Sequence, residues 1–151
     1  MGQAYFYHLT ERPLESTLPV LLAKALEQGW RVEVRGRERE AMDRLDRQLW
    51  AVEGFLPHGL DGGPHDADQP VLLTVAPASD RRSCVMSVGG ADVAPDEVKG
   101  AERVCILFEG ADAAAVQTAR AQWRTLTEAG VAAYYWAEDS GRWIKKAESG
   151  T

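Results

Sequence analysis

An α/β fold with a mostly parallel central sheet flanked by helices is what this sequence predicts. Three observations carry that expectation. The first fifty residues run strand, helix, strand, helix. Segments 70–75, 84–88 and 104–108 are continuous apolar runs, as expected of strands buried on both faces. A third long helical segment, 111–129, precedes two further β-prone stretches at 131–136 and 142–145. At 151 residues the chain suits one domain spanning 1–151, and no repeat, low-complexity tract or linker divides it.

Each element has its own signal. Tyr5, Phe6, Tyr7, His8 and Leu9 form a short aromatic run that reads as the first strand. Over 15–29, Leu18, Leu21, Leu22, Ala25 and Leu26 share one helical face. Ser16 or Thr17 is the expected cap there, Pro19 falls in the first turn, and Gly29 stops the helix. Residues 30–35 alternate and read as a second strand. Residues 38–50 read as a second helix, with Ala41, Met42, Leu45 and Leu49 inward and charge on the other face. Segment 51–69 reads as a loop, broken by Gly54, Pro57, Gly59, Gly62, Gly63 and Pro64. Connections of that length are uncommon in compact domains and are often functional. Gly130 ends the third helix, and the last two stretches are expected to pair as a hairpin.

Composition narrows the function. Hydrophobic content is 45%, charged content 26%, and mean hydropathy −0.30, with no long apolar run to span a membrane. The first residues lack the basic-then-apolar pattern of a secretory signal. Cys84 and Cys105 sit in apolar segments without Cys or His at ligand spacing, so they read as small buried hydrophobes in a reducing cytoplasm. A net charge of −6 argues against tight direct binding of a phosphate backbone. The charge is uneven, however. Residues 1–115 hold 12 Lys/Arg against 19 Asp/Glu, whereas residues 116–151 hold five against four. That local excess suits a small acidic ligand or peptide better than duplex DNA, although on charge alone a normally solvated mixed surface is the simpler reading.

The sequence holds no recognisable catalytic or cofactor motif. The segment after the first strand, residues 8–15, has no glycine and carries Glu11 and Glu15, where a phosphate cradle needs bare N–H groups. Gly62-Gly63 and Gly89-Gly90 lack the surrounding pattern of a nucleotide loop. No serine or cysteine stands in a recognisable motif with a histidine. His58 and His65 lie near Asp61, Asp66 and Asp68 without a fixed ligand spacing, which reads as a solvated loop and not as a metal site. No cofactor is expected. The rival to a binding role is a small α/β nucleotide-binding protein or enzyme.

Two stretches resemble a known family. Leu45-Asp46-Arg47-Gln48-Leu49-Trp50, followed by Phe55-Leu56-Pro57-His58-Gly59-Leu60, looks like the signature of the chi subunits of bacterial DNA polymerase III. There a helix ends Leu-Asp-x-x-Leu-Trp and a loop supplies Phe-x-Pro-His-x-Leu. The aromatic first strand fits as well. The segment from Ala119 through Trp123 and Arg124 to Gly130, ending near Trp143, resembles the family's last long helix and terminal strand, less specifically. The resemblance implies a Rossmann-like domain without catalysis. It also implies two partners: the psi subunit of the clamp loader, and the acidic C-terminal tail of single-stranded-DNA-binding protein. Carried over by position, Trp50, Phe55, Pro57 and His58 are the expected psi contacts. Val116, Arg120, Trp123, Arg124, Lys145 and Lys146 are the expected tail contacts. Arg120 and Arg124 are four apart, on one helical face, and suit bidentate capture of a carboxylate. The chain departs from the family in carrying Val116 where a lysine is frequent, and Trp123-Arg124 where an aromatic is followed by lysine.

Overall fold

The computed structural model describes residues 2–51, 58–63, 66–77 and 82–150. Its strands are β1 (Gln3–Leu9), β2 (Val32–Arg35), β3 (His58–Leu60), β4 (Val71–Thr74), β5 (Cys84–Ser87), β6 (Arg103–Glu109), β7 (Ala132–Asp139) and β8 (Arg142–Ser149). Four helices connect them: α1 (Leu14–Glu27), α2 (Arg39–Trp50), α3 (Pro95–Gly100) and α4 (Ala113–Glu128). The strands form one sheet in the order β3-β4-β2-β5-β6-β1-β7-β8. Every pairing is parallel except β7 with β8. This is the Rossmann-like α/β architecture that the sequence predicts.

Strand alternation splits the core in two. Val32 and Val34 of β2, Val71 and Leu73 of β4, and Cys105 and Leu107 of β6 face α1 and α2. Phe6 of β1, Val85 of β5, and Val104 and Ile106 of β6 face α3 and α4. Both sets are buried, which is why the central strands read as unbroken apolar runs.

The second strand is an exception to simple alternation. Glu33 and Arg35 look solvent-facing in the sequence, yet both are buried on the α3 side. Arg35 donates from Nε to Glu33 at 2.7 Å and from Nη2 to Glu97 of α3 at 2.7 Å, and from Nη1 to the carbonyl of Asp92 at 3.0 Å. Thr74 donates its hydroxyl to Glu33 at 2.8 Å. Burial alone lowers the affinity of this guanidinium for its proton, but the bonds to Glu97 and Glu33 outweigh it and hold Arg35 charged.

The local signals need four corrections. Helix α1 starts at Leu14 with Pro13 at its cap, earlier than Ser16 or Thr17, and Pro19 therefore lies inside the helix. Segment 51–69 is not wholly irregular, because His58–Leu60 adds an edge strand and Asp66–Asp68 a 3-10 turn. Pro95–Gly100 forms a helix too short for a periodic signal. The terminal hairpin is longer than its apolar residues suggest, because β8 runs on through the charged residues to Ser149. Its two-residue turn has Ser140 at φ 54° and Gly141 at φ 77°, as a type I′ connection requires.

Candidate functional site

Helix α4 begins where Asp112 accepts the N–H groups of Ala114 and Ala115, at 3.0 and 3.2 Å. Ala119 and Leu126 are its buried stripe, and Val116 and Trp123 pack half-buried beside them. Trp123 meets Phe6 of β1 edge-on at 5.2 Å and Tyr135 of β7 at 6.0 Å. Arg120 and Arg124 are exposed on the same helix. Among the described residues neither guanidinium has a carboxylate within ion-pair distance.

Three strand residues complete this surface, and sequence reasoning missed all three. His8 lies 4.9 Å ring to ring from Phe108 of β6, its neighbour in the β1/β6 register. Its Nδ1 is 2.7 Å from the Tyr135 hydroxyl. Burial, and then the charge of Arg120, lower the pKa of His8 below 6.5. Burial raises that of the Tyr135 phenol, with Arg120 opposing. Gly110 makes room for the imidazole, since a Cβ there would strike His8 Nε2. The only cue in the sequence is that Phe6 and His8 alternate with Tyr5 and Tyr7. Which pair meets α4 depends on strand order, which no local pattern encodes.

Lys145 does not join the arginines as expected. Lys145 lies on the opposite face of the sheet, 5.7 Å over the Tyr134 ring and 3.4 Å from Glu148. Strand alternation puts it there, because Tyr134 and Tyr135 point to opposite sides. Lys146 is exposed at the irregular step of the β7/β8 pairing, between Tyr135 and Trp136. Charged side chains on β8 also discourage a second chain from pairing along this free edge.

The second candidate surface lies at the end of α2. Trp50 is 56% exposed although it ends an amphipathic helix. Its ring lies on that of His58, with centroids 4.1 Å apart and planes 35° apart. His58 is only 3% exposed, and its Nε2 sits 3.1 Å from the Asp46 carbonyl and 3.3 Å from Asp46 Oδ1. It supports the indole from beneath and offers little surface of its own. Phe55 and Pro57 lie outside the described residues, as does His65. Among the described residues no group of three potential ligands could hold a metal ion.

A family model described as DNA polymerase III chi subunit, HolC, matches residues 1–134. The chain belongs to the chi subunit family of DNA polymerase III. The match spans both candidate surfaces up to the start of β7, so it includes Trp50, His58 and all of α4. Lys145 and Lys146 fall beyond it. No curated protein matches the chain. Membership makes it a replication protein of the accessory-subunit class, and among the described residues no helix is long and apolar enough to cross a membrane.

One contact in this chi-family chain bears on the rival nucleotide reading. In a dinucleotide-binding fold the backbone N–H groups after the first strand are free to take a phosphate. Here Glu138 of β7 is buried, and its Oε1 accepts the N–H groups of Thr10, Glu11 and Arg12, each at 3.2 Å. Arg12 Nε lies 3.6 Å from the other carboxylate oxygen. A protein carboxylate thus occupies the position of the ligand anion. Glu138→Ala is expected to lower stability by about 2–4 kcal/mol by leaving those donors unmet. Chemical denaturation of the variant measures the loss.

Proposed function

We propose that this chain is a non-catalytic adaptor that links the polymerase III clamp loader, through psi, to the acidic C-terminal tail of single-stranded-DNA-binding protein. The observation that carries the reading is a pair of exposed arginines on α4, without a carboxylate partner among the described residues, beside an aromatic platform. A tail ending in phenylalanine needs both parts. Arg120 and Arg124 supply a fork for carboxylate, and Trp123, with His8, Phe108 and Tyr135 beneath it, supplies flat apolar contact. On a chain of net charge −6, tail capture by a local cationic patch is favoured over general binding of DNA. Val116 packs at the base of the same helix face and replaces a charge with apolar contact. This reading needs no cofactor or membrane and places the protein in the cytoplasm.

Fluorescence anisotropy of a labelled acidic peptide ending in Pro-Phe tests it. Binding is expected to be saturable, to weaken with salt, and to disappear when the terminal Phe is removed. No binding at low salt would refute the tail assignment. Affinity is also expected to rise as pH falls below about 6.5. His8 has its pKa lowered in the free protein by burial and by Arg120. A bound carboxylate nearby raises that pKa, so binding takes up a proton and is favoured where His8 can charge. A flat profile between pH 8 and 5.5 would remove His8 from the site.

Trp50 and its neighbours Phe55, Pro57 and His58 form the proposed psi surface. An exposed indole held flat by a buried imidazole has the character of an interface anchor. Trp50→Ala is expected to weaken psi binding by about 2 kcal/mol or more. Its effect on stability should stay within about 1 kcal/mol, since the ring is half in solvent. Calorimetric titration with psi and a thermal melt separate the two effects.

A further inference from the structure

The face of the sheet opposite α4 holds a cavity that neither proposed partner uses. Residues of α1 line one side of an open cleft of about 490 Å³, and aromatic side chains of β1, β7 and β8 line another. Tyr7 meets Trp143 edge-on at 5.2 Å, and Tyr5 lies 6.4 Å from Trp136. The volume is in the range of small-molecule sites.

Three polar atoms lining this cleft are buried and have no hydrogen-bond partner among the described residues: Arg103 Nε, Trp136 Nε1 and Thr17 Oγ1. Unmet buried polar groups are rare in folded proteins because each costs about 1–3 kcal/mol. Three of them around one space point to a missing complement. Two are donors only, so the complement must offer acceptors. Arg103 also carries a charge that no carboxylate neutralises among the described residues. Its guanidinium is held instead 4.2 Å over the Tyr5 ring and 5.1 Å from the Trp30 ring. Of the other charged groups lining the cleft, Arg12 lies 3.6 Å from Glu138, and Lys24 and Glu27 carry opposite charges, which leaves Arg103 as the cation without a counter-charge among the described residues.

We propose that this cleft binds a small, flat, unsaturated carboxylate, with its anion on Arg103 and Trp136 and its ring against the aromatic wall. The site is distinct from the α4 surface, since Trp136 and Trp123 lie on opposite faces of the sheet. The proposal therefore stands or falls independently of tail binding.

The test uses 2-naphthoate as probe and the full-length 15N-labelled protein, following the five indole N–H signals by NMR. 2-Naphthoate is expected to shift the Trp136 signal saturably while leaving that of Trp123 in place. The neutral isostere 2-naphthylmethanol should bind at least about tenfold more weakly, and Arg103→Gln should abolish that preference for the acid. Three results overturn the proposal: no saturable shift at millimolar probe, equal binding of acid and alcohol, or a shift centred on Trp123. The acid–alcohol comparison on the unmodified protein decides the matter even if Arg103→Gln folds poorly.

Discussion

Replacing Arg35 with methionine is expected to lower stability by about 3–5 kcal/mol, because it strands the Glu33 carboxylate in the interior. Glu33 and Arg35 are 3% and 4% exposed, so neither charge has access to water. With Arg35 gone, Glu33 keeps the hydroxyl of Thr74 but loses the two guanidinium bonds, at 2.7 and 3.2 Å. Glu97 loses its two bonds from the guanidinium as well, and with them one of the ties between α3 and the sheet. For a chain of this size the melting temperature should fall by roughly 6–20 °C. The double variant Glu33→Gln/Arg35→Met should recover a large part of that loss, since no buried charge is then left without its counterion. A thermal melt of Arg35→Met within 2 °C of the parent, roughly the scatter of surface substitutions, would show that the network contributes little. Alternating charge in a strand ordinarily means a wet face. Here a third partner from α3, 62 residues further on, makes burial affordable.

Arg120→Ala/Arg124→Ala is expected to weaken binding of the acidic Pro-Phe peptide by about a hundredfold or more. Each lost charge-assisted hydrogen bond costs about 1.5–3 kcal/mol, and every 1.4 kcal/mol is a factor of ten. Arg124→Ala alone should cost about tenfold. Neither guanidinium supports the fold, so the melting temperature should stay within about 2 °C of the parent. Peptide affinity unchanged in the double variant would move the tail away from α4. A parallel loss of psi binding would indicate misfolding, because Trp50 lies at the end of a helix on the other side of the sheet.

What the sequence made legible follows from what is local in it. Periodicity located all three long helices, although capping chemistry misplaced the start of α1, and unbroken apolar runs located β4, β5 and β6. Arg120, Trp123 and Arg124 were legible because helical spacing is geometric, fixing them on neighbouring positions of one face. His8, Phe108 and Tyr135 were not, because their meeting depends on β1 inserting between β6 and β7. Lys145 was misplaced for a related reason: in a strand a shift of one residue exchanges faces. The cleft lined by Arg103, Trp136 and Thr17 draws on segments more than eighty residues apart and gave no sequence signal at all.

The position of β1 has a consequence for how the chain acquires its structure. The first strand to be synthesised is paired on one side with residues 103–109 and on the other with residues 132–137. Its turn into α1 is completed only when Glu138 arrives, 126 to 128 residues later. The sheet therefore cannot enclose β1 on both sides until residues 132–137 have left the ribosome. Contacts of such long sequence separation slow folding, and until they form β1 exposes two unpaired edges to whatever else is nearby. For a nascent chain of this topology, the interval between emergence of β1 and emergence of β7 is the window of greatest exposure to aggregation, and shielding by a chaperone matters most then.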